Sequence, residues 1–164
     1  MNASIAAVGL SLLCMVSGAA RAALAIAPFQ ADSLSKIVTA HKGRPFLLLV
    51  WSLDCVFCKA SMVELARQQR KGARLDVVTV ATDSVNDSGT RTHLVERLRN
   101  AGLTSTNWAF GDAPAEQLRF AVDPKWHGEL PRSYWYDAKG TRSAYSGTLT
   151  EQVISKYSAP ASAD

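Results

Sequence analysis

Phe46-Leu47-Leu48-Leu49-Val50-Trp51-Ser52-Leu53-Asp54-Cys55-Val56-Phe57-Cys58-Lys59 is the stretch on which the fold turns. Its first six residues form a continuous apolar run, too short for a helix and suited to a strand buried on both faces of a sheet. From Lys59 to Arg70 the chain carries strong helix formers, with Ala60, Val63 and Ala66, or Met62, Leu65 and Gln69, at helical spacing. The Cys55-Val56-Phe57-Cys58 motif therefore falls at a strand-to-helix turn. There a helix N-terminus directs its free N–H groups and positive dipole end at the first sulfur, which stabilises a thiolate and marks Cys55 as a nucleophile. Cys58, one turn later on the same side, is placed to attack a mixed disulfide and release the product.

The surroundings of this motif bound what it can be. The chain has 164 residues, 48 % hydrophobic and 20 % charged, which excludes disorder, collagen and coiled-coil rods and fits one compact domain. A chain of that size buries enough apolar surface to need no disulfide scaffold, and three cysteines are too few for one. The net charge of +4 is scattered, and its densest basic stretch, Arg67 to Arg74, is broken by glutamines and Gly72. That is a solvated helix end rather than a nucleic-acid surface, so no nucleic-acid partner is expected.

Residues 1–25 read as an address. Ala3 to Ala20 carries no charge, its apolar centre runs from Ile5 to Val16, and Ala20-Arg21-Ala22 and Ala23-Leu24-Ala25 each fit the small-x-small cleavage pattern of a secretory signal. The expectation is export to the periplasm with cleavage. The alternatives are an uncleaved anchor facing the periplasm, in which case the membrane becomes a partner, and a buried N-terminal helix. Cleavage removes Cys14 and leaves Cys55 and Cys58 as the only cysteines. A lone pair at this spacing in an oxidising compartment is a redox couple, a structural disulfide with little exchange, or half of a metal site, and the strand-to-helix placement favours the first.

The rest of residues 26–158 follows an α/β order. A helix from Ser33 to Ala40 has Asp32 as its cap and Gly43 at its end. Leu75 to Ala81 is a strand closed by the turn residues Thr82-Asp83-Ser84, and Val85 to Thr90 is a polar surface loop. A helix from Leu94 to Leu103, a strand from Thr106 to Phe110 and a helix opened by Asp112-Ala113-Pro114 come next. Ser133 to Tyr136 and Thr141 to Ser146 make a hairpin about Asp137-Ala138-Lys139-Gly140. Thr148 to Glu151 has capping-box spacing for a final helix to Tyr157, and residues 159–164 are a loose tail. Helices between parallel strands, then a hairpin, predict a three-layer α/β domain with a central mixed sheet flanked by helices.

Three blocks resemble the thioredoxin-fold thiol-disulfide oxidoreductases, and among them the exported TlpA/ResA-like branch. The first is Phe46 through Leu65, with Trp51 four residues before the first cysteine and Met62 four after the second. The second runs from Glu96 to Asp112 and includes Asn107-Trp108-Ala109-Phe110. The third is Gly128-Glu129-Leu130-Pro131-Arg132-Ser133-Tyr134-Trp135-Tyr136-Asp137-Ala138-Lys139-Gly140. The resemblance implies a cis Pro131 facing the CxxC and disulfide exchange with protein thiols, with no cofactor beyond the cysteine pair. Its direction is reducing, and a membrane electron donor would recharge the couple. Departures from the family pattern are Asp54 where a bulky apolar residue usually stands, Val56-Phe57 without proline, Val63 in place of a helix-kinking proline, and Leu49 where plain thioredoxins bury an aspartate.

The expected catalytic residues are thus Cys55, Cys58 and Pro131. Leu130, Trp51, Val56 and Phe57 are expected to contact substrate, and Asp54 to raise the pKa of Cys55. Trp51 also fits the core, and Trp126 and Trp135 fit either the core or the rim of a groove. No resident metal is expected. The competing class is a copper or zinc carrier using both thiolates and a histidine; His41, His93 and His127 are the candidates, of which the resemblance puts only His127 near the Pro131 loop, and the bland reading of a lone loop histidine is a solvated one. Ser52-Leu53-Asp54-Cys55 matches half of a thiol-peroxidase pattern but lacks its preceding proline.

Overall fold

The computed structural model describes residues 24–103 and 106–158, so the expected signal or anchor (Leu24 and Ala25 excepted) and the expected tail lie outside the described residues. Its elements are β1 (Ile26–Phe29), α1 (Ser33–Ala40), β2 (Phe46–Trp51), α2 (Val56–Arg70), β3 (Val77–Ser84), α3 (Ser88–Ala101), β4 (Thr106–Phe110), α4 (Ala115–Val122), β5 (Arg132–Tyr136), β6 (Arg142–Ser146) and α5 (Glu151–Ser158). The six strands lie in one sheet in the order β1-β4-β3-β2-β5-β6. Strands β1, β4, β3 and β2 run parallel, while β5 runs antiparallel to β2 and β6 to β5. No described helix is long and apolar enough to cross a membrane.

Strand β2 is central, and its unbroken apolar run follows from that position. Leu47, Leu49 and Trp51 point to one face, where Met62, Leu65 and Ala66 of α2, Leu94 and Leu98 of α3 and Ile154 of α5 cover them. Phe46, Leu48 and Val50 point to the other face, against Ile37 of α1, Leu118 and Val122 of α4, and Tyr134 and Tyr136 of β5. All six β2 residues are buried, as a strand covered by helices on both sides requires.

Several local expectations are corrected. Strand β1 is an addition: Ile26–Phe29 reads as nothing by itself, and parallel pairing with β4 makes it a strand. Asp32 makes no side-chain cap to α1. It pairs instead with Lys36 at 2.7 Å, and that hydrogen bond lowers its pKa from the usual carboxylate value. Gly43 is not the C-cap of α1, which is His41, but takes the positive φ of 79° just beyond it. Thr82, Asp83 and Ser84 continue β3 rather than ending it. The expected loop after them contains the buried Val85, and α3 starts six residues early because the Asp87 side chain accepts from the Thr90 N–H. At α5 the hydroxyl beside the first turn is that of Thr150, which receives the Val153 N–H at 3.4 Å, rather than Thr148 of the expected capping box.

Candidate active site

The cysteine motif stands at the carboxyl end of β2, where open α/β sheets place their ligand crevices. Cys55 is the N-cap of α2, with extended backbone (φ −83°, ψ 101°), and its sulfur accepts the Cys58 N–H at 3.1 Å. An N-cap position is where a negative sulfur gains most from the unpaired amides of the first turn. Cys55 and Cys58 are joined by a disulfide with a Cα–Cα distance of 5.2 Å. The two sulfurs belong to unequal residues: Cys58 is 0 % exposed, while Cys55 is half-buried. Val56 and Phe57 between them are 77 % and 65 % exposed, an unusual display of large apolar side chains beside the half-buried Cys55.

The turn that delivers Cys55 is held from β3. The Asp83 carboxylate accepts the Leu53 N–H at 3.0 Å, the Cys55 N–H donates to Ser52 O at 3.3 Å, and Thr82 Oγ1 donates to Trp51 O at 3.4 Å. Burial pushes the Asp83 pKa up, and the Asp54 charge adds to this, against the Leu53 N–H and the Arg97 guanidinium. Asp83 went unrecognised in the sequence because it reads there as turn chemistry. Asp54 itself is exposed. Behind the motif Ser61 is fully buried, its hydroxyl donating to Phe57 O and accepting the Leu149 N–H, both at 2.9 Å.

The Leu130–Pro131 peptide bond is cis. The segment before it is anchored by Arg132, which reaches Ser146 Oγ at 2.6 Å, Glu129 Oε1 at 3.3 Å and Asp123 Oδ2 at 3.4 Å. Arg142 holds the other oxygen of Asp123 at 3.4 Å. Burial works to raise the pKa of Asp123, but the Lys125 N–H and the Arg142 charge outweigh it, and the carboxyl stays below its ordinary value. A cleft of about 290 Å³ runs from Leu130 past Thr82, Phe110, Ala115, Arg119 and Trp126.

Of the other residues singled out, Trp51 is fully buried in the core beneath the motif, so it backs the site and offers no surface to a substrate. Trp126 and Trp135 are buried too, their indole N–H groups donating to Glu129 O at 2.9 Å and Ser133 Oγ at 3.1 Å. His41, one of the candidate ligands, is buried: it stacks on Phe46 at 4.3 Å and bonds Ile37 O through Nδ1 at 2.7 Å. His127 is exposed and lines a second cavity with Arg119, Phe120 and Asp123. Among the described residues no group of three or more His, Cys, Asp and Glu side chains is arranged to hold a metal ion. The three ligands of the carrier reading are therefore not brought together.

No family model matches the chain, and neither does any curated protein. Solved structures do resemble it. A secreted Mycobacterium tuberculosis disulfide oxidoreductase homologous to E. coli DsbE superposes with a TM-score of 0.55 at 20 % identity, over 73 % of this chain and 83 % of that one. StoA from Bacillus subtilis gives 0.51 at 18 % identity, over 72 % and 84 %. A thiol-disulfide isomerase from Corynebacterium glutamicum gives 0.53 at 17 % identity, over 72 % and 80 %. The likeness shows the fold, a thioredoxin-like α/β domain with its CxxC at the head of α2.

Proposed function

We propose that this chain is an exported thiol:disulfide oxidoreductase that reduces disulfides in protein substrates. The observation that carries the reading is the asymmetric cysteine pair at the N-terminus of α2, with Cys55 Sγ accepting the Cys58 N–H and Cys58 wholly buried. Thiol–disulfide exchange needs one sulfur that a partner can reach and a second that only the first can reach. The fold it shares with named disulfide oxidoreductases supports the same chemistry, and the description of one of them as secreted supports export.

In the reduced protein the Cys55 thiolate attacks one sulfur of the partner's disulfide. A Cys55–partner disulfide forms, and the partner's other sulfur leaves as a thiolate and takes a proton. Cys58 then loses its proton and attacks Cys55 Sγ, which re-forms the Cys55–Cys58 bond and frees the second partner thiolate. The partner gains two electrons and the couple loses them, and a dithiol donor, membrane-bound in our reading, returns them. The Leu130 backbone holds the partner's extended chain by strand-like hydrogen bonds beside the cis Pro131, with Val56 and Phe57 against its apolar side chains.

Equilibration of the purified protein with glutathione buffers, together with insulin reduction, tests the reading. A potential well below the glutathione poise and turnover abolished by Cys55→Ser are expected, while Cys58→Ser should accumulate a mixed disulfide. A potential above that poise would make the protein an oxidase or isomerase. No exchange at all would leave a structural disulfide. N-terminal sequencing of the mature chain from the periplasm tests export, and a mature chain beginning at about residue 23 or 26 is expected.

A further inference from the structure

The Asp83 carboxylate bonds the backbone of the turn between β2 and the cysteines, accepting the Leu53 N–H at 3.0 Å two residues before Cys55. Strand β2 supplies only apolar side chains beneath the motif, so negative charge reaches it from the turn, through Asp54, and from β3, through Asp83. A half-buried carboxylate keeps more of its field than an exposed one, because less water screens it. The charged groups acting on Asp83 are Asp54 of the turn, which opposes its ionisation, and Arg97 of α3, which favours it.

We propose that Asp83 is a positioning residue for the redox couple, whose carboxylate both fixes the turn that presents Cys55 and sets a negative charge against the reduced, thiolate-bearing form. The inference rests on the exchange activity proposed above. Charge that opposes the thiolate disfavours the reduced form relative to the disulfide, so Asp83 makes the couple more strongly reducing. The effect depends on pH. It is largest when both Asp83 and Cys55 are ionised and fades as acid protonates either one.

Asp83→Asn separates the two roles, since the amide oxygen still accepts the Leu53 N–H while the charge is gone. Equilibrium with glutathione is measured for both proteins from about pH 9 down to about pH 6, a range that spans ordinary thiol titration. At the alkaline end the variant should favour the reduced form about fivefold more than the parent, which is roughly 20 mV at 29.6 mV per tenfold. That gap should narrow as the pH falls. Asp83→Ala, which loses the acceptor as well, should show the same gap and unfold at lower urea. An Asp83→Asn potential equal to the parent's across the range overturns the inference and leaves the exchange activity standing, as does a gap that does not vary with pH. A parent protein that never equilibrates with glutathione overturns both.

Discussion

Replacing Ser61 by alanine probes the seam between α2, which carries the cysteines, and the segment that leads into α5. The Ser61 side chain is fully buried, and its hydroxyl makes two hydrogen bonds of 2.9 Å, to Phe57 O and from Leu149 N. The first is nearly redundant, because Phe57 O is also the i−4 acceptor of the helical Ser61 N–H. The second is not: without the hydroxyl the Leu149 N–H is left in the core with no acceptor, which costs about 1–3 kcal/mol. Alanine recovers about 0.5 kcal/mol through its higher helix propensity. The expected net loss is about 0.5–2.5 kcal/mol, centred near 1.5. At about 4 °C per kcal/mol for a domain of this size the melting temperature should fall by roughly 6 °C. Urea unfolding of the disulfide form, with unchanged m, measures it, and amide exchange at Leu149 should accelerate while that of β2 follows global stability. The exposed Ser35→Ala, whose hydroxyl bonds Asp32 O, is the control and should stay within about 0.5 kcal/mol. A Ser61→Ala protein as stable as its parent, with unchanged exchange at Leu149, would refute the reasoning, for it would mean that the amide had found another partner.

Three further outcomes are expected. Arg132→Met takes one of two guanidinium partners from the buried Asp123 and releases Glu129 and Ser146; it should cost about 3 kcal/mol in urea unfolding, and a loss under about 1 kcal/mol would show that Arg142 suffices. Glu64 is held at a pKa of about 2, chiefly by its hydrogen bonds to Arg67 and then Gln68. Since its folded pKa is depressed, the stability it adds is complete above the ordinary carboxylate range and is lost as the pH falls from about 4.5 toward 2, so Glu64→Gln should flatten that acid limb in unfolding scans. Asp54→Asn in a Cys58→Ser background should lower the Cys55 pKa by about one unit or less, because the exposed carboxylate is screened; an unchanged thiolate titration would leave Asp54 as a solvated turn residue.

Sequence by itself determined the parts of this protein whose cause is local. Phe46–Trp51 is apolar at every position, and only a strand covered on both faces uses such a run. The cysteines sit at a helix start because the formers from Lys59 to Arg70 begin directly after them, and those two readings already place the cysteine pair at the head of α2. The third block carried enough of a resemblance to single out Pro131, whose cis bond the structure contains. What only the tertiary structure decided is where distant segments meet. Ile26–Phe29 is a strand because β4 lies beside it, and Asp83 left the turn residues to become a support of the cysteine loop because β3 runs three residues past Ala81 alongside that loop. Burial decided for the core at Trp51, which the sequence left between core and substrate contact, and placed His41 there too, while the path of the α4–β5 segment left His127 outside any ligand cluster with the cysteines. Residue type and spacing report the periodicity of one element at a time; a carboxylate's neighbours, a tryptophan's exposure and a histidine's distance from a thiol are properties of contacts between elements, which no local pattern encodes.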